Sequence, residues 1–146
     1  MSKDKIAPYL LRSEYLCKCC KKLPVDFFME EDEVDVGLPY QMLFKYFQEI
    51  REAWGKSIDV SSGYRCPKRN KAEGGAGYSI HLFGLALDLD CEPGEVDNLA
   101  KVAKKVAPQL RIGVYKKIGS FIHMDVGYYI YPRIDKKWRI GARWSG

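Results

Sequence analysis

The chain contains only two histidines, and each lies in an apolar segment with a carboxylate nearby. His81 precedes Asp88 in SIHLFGLALDLD, and His123 precedes Asp125 in FIHMDVG. Two neutral imidazoles and one carboxylate suit Zn²⁺, and a catalytic zinc ion keeps a further position for water. The ion lowers the pKa of that water towards about 7 and polarises the carbonyl under attack. Taken singly, each histidine is better explained as a hydrogen-bonded residue at the edge of a core, so the hypothesis of metal-assisted hydrolysis depends on their combination.

Strand alternation predicts how these side chains are presented. In FIHMDV it places His123 and Asp125 on one face, opposite an aliphatic face that fits the core. LALDLD likewise presents Asp88 and Asp90 together, on a strand that we expect to be buried on one side. If the two strands are neighbours, His123 and Asp88 come within metal-binding distance. His81 then enters from the loop that precedes its strand.

Two amphipathic helices are predicted. The first is PYQMLFKYFQEIREAWG, with Pro39 in its first turn and Gly55 as its stop. Its apolar residues recur at helical spacing: Leu43, Phe47, Ile50 and Trp54. The second is PGEVDNLAKVAKKVAP, in which Lys104 and Lys105 suit the C-terminal end of the helix dipole.

Short strands and two long loops complete the predicted elements. SIDV, LALDLD, LRIGVY, FIHMDV and GYYIY are predicted strands. The acidic KLPVDFFMEEDEVDVGLP and the Gly-rich SSGYRCPKRNKAEGGAGYS are predicted loops, and the second has the length typical of a functional loop. Together these elements predict an α+β fold, a small and mainly antiparallel sheet with helices packed on it, as a single domain over residues 1–146.

Charge and hydropathy narrow the function classes. The net charge is +5, but the basic residues are scattered, with short groups at KCCKK, CPKRNK and DKKWR. This distribution does not indicate nucleic-acid binding. A mildly basic surface suits any polyanion, including an anionic cell-wall polymer or a membrane surface. Nowhere do eighteen apolar residues run together, so we expect no membrane insertion. The N-terminus lacks a signal-peptide core, so we expect a cytoplasmic protein until its release.

The five cysteines give a weak signal. Cys17 and Cys20 form a CxxC motif that also encloses Cys19, but a structural zinc site would need a second close pair. Cys66 and Cys91 are far apart in the sequence. Without an export signal a disulfide framework is not expected. We therefore expect reduced or partly buried thiols.

The order of four motifs resembles a known family. SSGYRCPKRN, the GG at 74–75, SIHLFGLALDLD and FIHMDVG occur in the order of the peptidase M15 family. Its members are zinc D-alanyl-D-alanine carboxypeptidases and related peptidoglycan endopeptidases, including phage endolysins. The resemblance covers roughly residues 40–128 and, weakly, the N-terminal segment that contains cysteines. It is greatest to the compact branch with SxHxxGxAxD and HxDxG. It implies a Hedgehog/D-Ala-D-Ala peptidase-like fold, one Zn²⁺ ion, and peptidoglycan stem peptides as substrate.

The same resemblance implies roles for individual residues. Arg65 matches the arginine that binds substrate and stabilises the developing oxyanion, as a fixed fork of donors can. Tyr64 and Ser79 are further substrate-binding candidates, although Ser79 is equally suited to capping a turn. Gly84 is expected to allow close packing of the chain. The metal ligands implied by the resemblance are His81, Asp88 and His123.

The general base is where the sequence departs from the family. Several members carry an acidic residue three positions before the last histidine, and here that position is Ser120. Asp125 is the nearest replacement, either as the base or as a carboxylate that orients His123, and Asp90 is a weaker candidate. Because of this departure, a non-catalytic zinc-stabilised binding or structural module remains the alternative function.

The C-terminal segment GYYIYPRIDKKWRIGARW is open to two interpretations. It lines the substrate cleft with aromatic residues, or it forms a hairpin that completes the core, which we favour. The aromatic residues concerned are Tyr128, Tyr129, Trp138 and Trp144.

Overall fold

The computed structural model describes residues 4–25, 27–29, 32–117, 119–132 and 135–146. Nine strands occur in these ranges: β1 (Lys5–Ala7), β2 (Leu10–Leu11), β3 (Phe28–Met29), β4 (Asp32–Val36), β5 (Asp59–Ser62), β6 (Ala86–Asp90), β7 (Arg111–Tyr115), β8 (Phe121–Asp125) and β9 (Arg143–Ser145). The α-helices are α1 (Arg12–Tyr15), α2 (Leu38–Trp54), α3 (Pro67–Ala72) and α4 (Val96–Val106).

A five-stranded sheet in the order β5-β6-β8-β7-β9 forms the centre of the fold. Every neighbouring pair is antiparallel except β7 and β9, which are parallel. Two two-stranded sheets, β1-β2 and β3-β4, lie outside it. The predicted α+β fold with a mainly antiparallel sheet is confirmed. The register of β6 and β8 is the detail that matters most for the site, since it pairs Asp88 directly with His123.

The two predicted helices are present as α2 and α4. Pro39 lies in the first turn of α2, and Gly55 ends it with a φ of +81°, a conformation that glycine adopts without strain. The buried faces of both helices and the aliphatic face of β8 contribute to one hydrophobic core, in which Ile122 and Met124 are fully buried. Among the described residues no helix is both long and apolar enough to cross a bilayer.

Several local predictions are wrong, and the Gly-rich segment predicted as a loop also contains helix α3. The acidic segment predicted as a loop contains the β3-β4 hairpin, next to Phe27, which is buried against Tyr40. The predicted strand GYYIY begins with a 3₁₀ turn over Gly127–Tyr129, because Asp125 accepts a hydrogen bond from the Gly127 N–H and bends the chain. Strand β6 is buried on both faces up to Leu89 instead of on one.

The C-terminal segment does not form the favoured hairpin. Its last strand, β9, joins the sheet edge parallel to β7. Trp138 and Tyr128 are buried in the core, whereas Tyr129 is 38% exposed. Trp144 lies against the face of the sheet that carries His123, with 5.5 Å between the two ring centroids. The aromatic residues are thus divided between the core and that face of the sheet.

Candidate metal centre

Three predicted ligands converge on one face of the sheet. Asp88 and His123 are cross-strand partners on β6 and β8, and His81 lies on a 3₁₀ turn over Ile80–Phe83 that precedes β6. Asp88 Oδ1 is 3.2 Å from His81 Nε2 and 3.1 Å from His123 Nδ1. The three ligand atoms lie within 4.8 Å of one another. Both histidines of the chain therefore meet at one carboxylate.

Each of the two imidazole rings makes a hydrogen bond through the nitrogen that faces away from Asp88, and this bond determines the tautomer of the ring. His81 Nδ1 is 2.7 Å from the Gly63 carbonyl oxygen, which can only accept, so Nδ1 carries the proton. His123 Nε2 is 2.6 Å from Asp125 Oδ2 and donates to it in the same way. In the neutral rings, His81 Nε2 and His123 Nδ1 then present lone pairs to the carboxylate.

This donor set fits a zinc ion. Two lone pairs and a carboxylate oxygen repel one another unless a cation or extra protons lie between them. The separations of 3.1 and 3.2 Å are close to the ~3.4 Å expected between ligands about 2.1 Å from a tetrahedral ion. Burial lowers the pKa of His81 and favours its neutral form. Burial opposes ionisation of Asp88, but the two imidazoles outweigh it and hold the pKa of that carboxyl low.

Asp125 has the contacts of an orienting carboxylate. It is 1% exposed and accepts two hydrogen bonds from Arg111 Nη1, at 2.6 and 2.7 Å. It also accepts one from Gly127 N at 2.8 Å and one from His123. Burial opposes its ionisation, yet the His123 hydrogen bond and the Arg111 charge lower the pKa of Asp125. With both oxygens engaged on the outer edge of the His123 ring, the geometry favours orientation over proton transfer.

Arg111 is a residue that sequence reasoning missed. It lies on β7, directly across from Asp125 on β8, and its guanidinium lies 4.3 Å from the Trp138 ring centroid and 4.8 Å from that of Trp144. The available signal was a charged residue inside the otherwise apolar LRIGVY. A buried arginine requires a counter-ion, and a carboxylate on a neighbouring strand is the simplest one.

Arg65 lies beside the three ligands. Its Nη2 is 3.2 Å from Asp88 Oδ2, and its Nε donates to Ser62 Oγ at 2.9 Å. Its Nη1 lies 3.4 Å from Asn70 Oδ1. A guanidinium has five N–H donors, so these contacts within the described residues leave two for a further acceptor. The predicted arginine is thus brought to the metal ligands with donor capacity to spare.

The GG motif at 74–75 supports the position of Arg65. Asn70 is buried and donates through Nδ2 to the Ala76 carbonyl oxygen at 2.8 Å, which orients its Oδ1 towards Arg65. A Cβ at Gly75 would lie 2.1 Å from that Oδ1. Gly74 has a φ of +73°, which turns the chain back after α3. Any larger residue at Gly75 would displace Asn70 and, with it, one contact of Arg65.

The other predicted residues have structural contacts. Ser79 Oγ accepts a hydrogen bond from His81 N at 3.3 Å and so caps the turn. The Tyr64 N–H donates to the Tyr15 carbonyl oxygen at 2.8 Å. Gly84 has a φ of +72°, and a Cβ there would lie 2.2 Å from a Pro24 ring carbon, so its predicted role in close packing is confirmed.

Trp144 closes the β9 side of the site. Its indole lies over Gly113, the cross-strand partner of His123, and a Cβ at Gly113 would be 2.4 Å from it. Its Nε1 donates to Tyr115 Oη at 2.7 Å, which fixes the orientation of the ring. Gly113 was the sequence signal for this contact, since it is the residue of LRIGVY with no side chain to pack.

Comparison with known proteins agrees with the site geometry. No curated protein matches the chain. A profile of the Peptidase M15 family matches residues 9–125, a range that includes Arg65 and the three converging side chains. Because this match covers most of the chain, the protein belongs to the peptidase M15 family.

Proposed function

We propose that the protein is a zinc metallopeptidase that hydrolyses peptidoglycan stem peptides, as a D-Ala-D-Ala carboxypeptidase or an L,D/D,D-endopeptidase. The observation that carries the proposal is the convergence of His81 Nε2, Asp88 Oδ1 and His123 Nδ1 within 4.8 Å. A lysin-like protein that reaches the cell wall after its release is the context that we propose for this activity.

The protein's own contribution is to hold and orient the ligands. When bound, zinc supplies a Lewis acid that polarises the scissile carbonyl and activates water. His81, Asp88 and His123 would hold it, with the Gly63 carbonyl and Asp125 fixing the two imidazole tautomers. Hydrogen bonds of this kind orient ligand imidazoles and raise their basicity.

Arg65 is positioned to bind the substrate. Its contact with Asp88 Oδ2 holds the guanidinium beside the ligands, and its two remaining N–H groups are free to donate to a carboxylate or a developing oxyanion. A stem peptide ends in a free carboxylate, which a permanently charged planar fork recognises in a bidentate manner. This pairing supports the carboxypeptidase form of the proposal.

The second candidate is a zinc-stabilised module that binds without cleaving. Ser120 favours it, because this residue stands where several family members carry an acidic residue, and it is buried. Asp125 is fully engaged by Arg111, Gly127 and His123. A serine hydroxyl does not accept a proton at neutral pH as a carboxylate does, so the two candidates differ in whether turnover occurs.

Digestion of purified peptidoglycan sacculi separates the candidates. Mass spectrometry of the muropeptides is expected to show zinc-dependent cleavage by the native protein and none by His81→Ala. Arg65→Lys is expected to retain zinc and lose about 10²–10³-fold in kcat. Arg69→Lys is the matched control, because Arg69 is a surface arginine paired with Glu73, and it is expected to keep full activity.

One outcome of the digestion would contradict the proposed peptidase activity. Zinc-loaded native protein that releases no fragment from any muropeptide would support the binding module instead. Cleavage of sacculi that is equally efficient after His81→Ala would contradict both candidates, since the peptidase needs His81 to hold its catalytic metal and the binding module does not cleave.

A further inference from the structure

Four of the five cysteines gather at a second place in the fold. Cys17 and Cys19 follow α1, and Cys66 immediately precedes α3. The Sγ atoms of Cys17 and Cys19 are 3.6 Å apart, and those of Cys19 and Cys66 are 3.2 Å apart. All three lie within 4.8 Å of one another, and the thiol of Cys20 interacts with that of Cys17. The fold thus places Cys66, which is distant in the sequence, beside the cysteines of the CxxC segment.

We propose that these thiols bind a second, structural Zn²⁺ ion, with Cys17, Cys19 and Cys66 as ligands and Cys20 as the fourth. Structural zinc sites are tetrahedral and closed, and four cysteines form one of their common ligand sets. Sulfur atoms about 2.3 Å from a tetrahedral ion are ~3.8 Å apart, so the observed separations of 3.2 and 3.6 Å require only small movements. The site shares no residue with the His81, Asp88 and His123 group.

Backbone hydrogen bonds hold the chain around the thiols in a fixed conformation. Cys17 N and O both bond across a tight loop, to Lys22 O and Lys21 N respectively. Lys21 has a φ of +58°, a conformation that costs a non-glycine residue energy and persists where the surroundings require it. The Cys66 N–H points at Cys17 Sγ, 3.4 Å away. A backbone donor aimed at a sulfur atom stabilises its thiolate, the form that ligates metals.

The charge around the cluster suits such a site. Zinc bound by four thiolates carries a net charge of −2. Lys18 lies within electrostatic range of Cys17, and both Lys21 and Arg69 lie within range of Lys18. These residues come from KCCKK and CPKRNK, two of the three basic groups in the sequence. The fold therefore brings a lysine of the first segment beside the thiols and an arginine of the second segment near that lysine.

The position of the cluster gives it a role in positioning Arg65. Cys66 follows Arg65 directly, and the Tyr64 N–H donates to the Tyr15 carbonyl oxygen at 2.8 Å. Gly63, whose carbonyl oxygen accepts from His81, packs so closely on Tyr15 that a Cβ would lie 2.7 Å from the Tyr15 oxygen. A metal between the N-terminal segment and Cys66 would hold this loop against the N-terminal segment.

Zinc stoichiometry tests the proposal independently of catalysis. Protein purified under reducing conditions with zinc is expected to hold two equivalents, and the doubly substituted His81→Ala, His123→Ala protein one. Cys19→Ser and Cys66→Ser are each expected to lose one equivalent while retaining the other. Cys91→Ser, a half-buried cysteine outside the cluster, is the matched control and keeps both. Absence of peptidase activity in a protein that binds both ions would leave these stoichiometries unchanged.

A second measurement on the native protein avoids any folding defect of the variants. An organomercurial that titrates thiols is expected to release one zinc equivalent, and cobalt substitution is expected to give sulfur-to-cobalt charge-transfer absorption. A native protein with one zinc equivalent that Cys19→Ser and Cys66→Ser both retain would overturn the proposal. A Cys19–Cys66 disulfide, found by mass spectrometry in protein purified anaerobically with reductant, would also overturn it.

Discussion

Asp125→Asn distinguishes an orienting carboxylate from a general base. Asp125 receives a hydrogen bond from His123 Nε2 at 2.6 Å and is paired with Arg111 at 2.6 Å. An amide keeps the size of the side chain but loses the charge. In the orienting role, the substitution weakens the control of the His123 tautomer and leaves the Arg111 charge buried without its counter-ion.

The structure sets the size of both effects. Loss of a hydrogen-bond partner behind a metal ligand typically weakens metal binding ~10–100-fold, which is about 1.4–2.8 kcal/mol. Removing one member of a buried ion pair costs about 3–5 kcal/mol of folding free energy. Arg111 also stacks on Trp138 and Trp144, contacts that survive the substitution, so we expect a loss near the lower end of that range.

Two assays measure these quantities separately. Competition with a chromophoric chelator gives the zinc Kd, and urea unfolding of the metal-free protein gives the folding free energy. Asp90→Asn is the matched control, because Asp90 is an exposed carboxylate on the same strand as Asp88, and it should change neither value appreciably. An unchanged zinc Kd together with loss of cleavage would refute the orienting role and identify Asp125 as the base.

Three further predictions test the surroundings of the site. Gly84→Ala should lower the folding free energy by about 1–3 kcal/mol through overpacking, because the added Cβ would lie 2.2 Å from the Pro24 ring and Gly84 has a φ of +72°. Gly94→Ala is the control, since a Cβ there would have nothing within 4 Å. Equal melting temperatures for the two variants would contradict the close packing of Gly84 on Pro24. In the metal-free protein burial lowers the pKa of His123, but hydrogen bonds to Asp125 and Asp88 outweigh it and raise that pKa to about 9. Zinc binding at about pH 8 should therefore release about one proton from this ring, and calorimetry in buffers of different ionisation enthalpy measures that release; none would contradict it. Each tenfold rise in free zinc above Kd should stabilise the folded protein by about 1.4 kcal/mol for each ion bound. A melting temperature independent of zinc would contradict binding to the folded state.

Local patterns in the sequence predicted which side chains share a face. Alternation in FIHMDV placed His123 and Asp125 together, and the structure leaves Ile122 and Met124 fully buried on the other face. The pairing of Asp88 with His123 was conditional on the strands being neighbours, a condition that the register of β6 and β8 meets. Periodicity is a local property, so it gave the faces but not the strand order.

The parts that the sequence did not reveal all depend on long-range contacts. Arg111 meets Asp125 only because β7 lies beside β8, and Cys66 meets Cys17 only because the loop after β5 packs on the N-terminal segment. Neither contact leaves a periodic signal. The prediction of a strand over GYYIY was wrong for a different reason. The hydrogen bond from Gly127 N to the Asp125 carboxylate overrides the apolar alternation of this segment.

Zinc-edge anomalous diffraction from crystals grown with excess zinc tests the central claim most directly. We expect a peak about 2.0–2.2 Å from His81 Nε2, Asp88 Oδ1 and His123 Nδ1, with the hydrogen bonds to Gly63 and Asp125 intact. These three side chains with no anomalous density between them, at zinc concentrations that saturate the protein in solution, would contradict it.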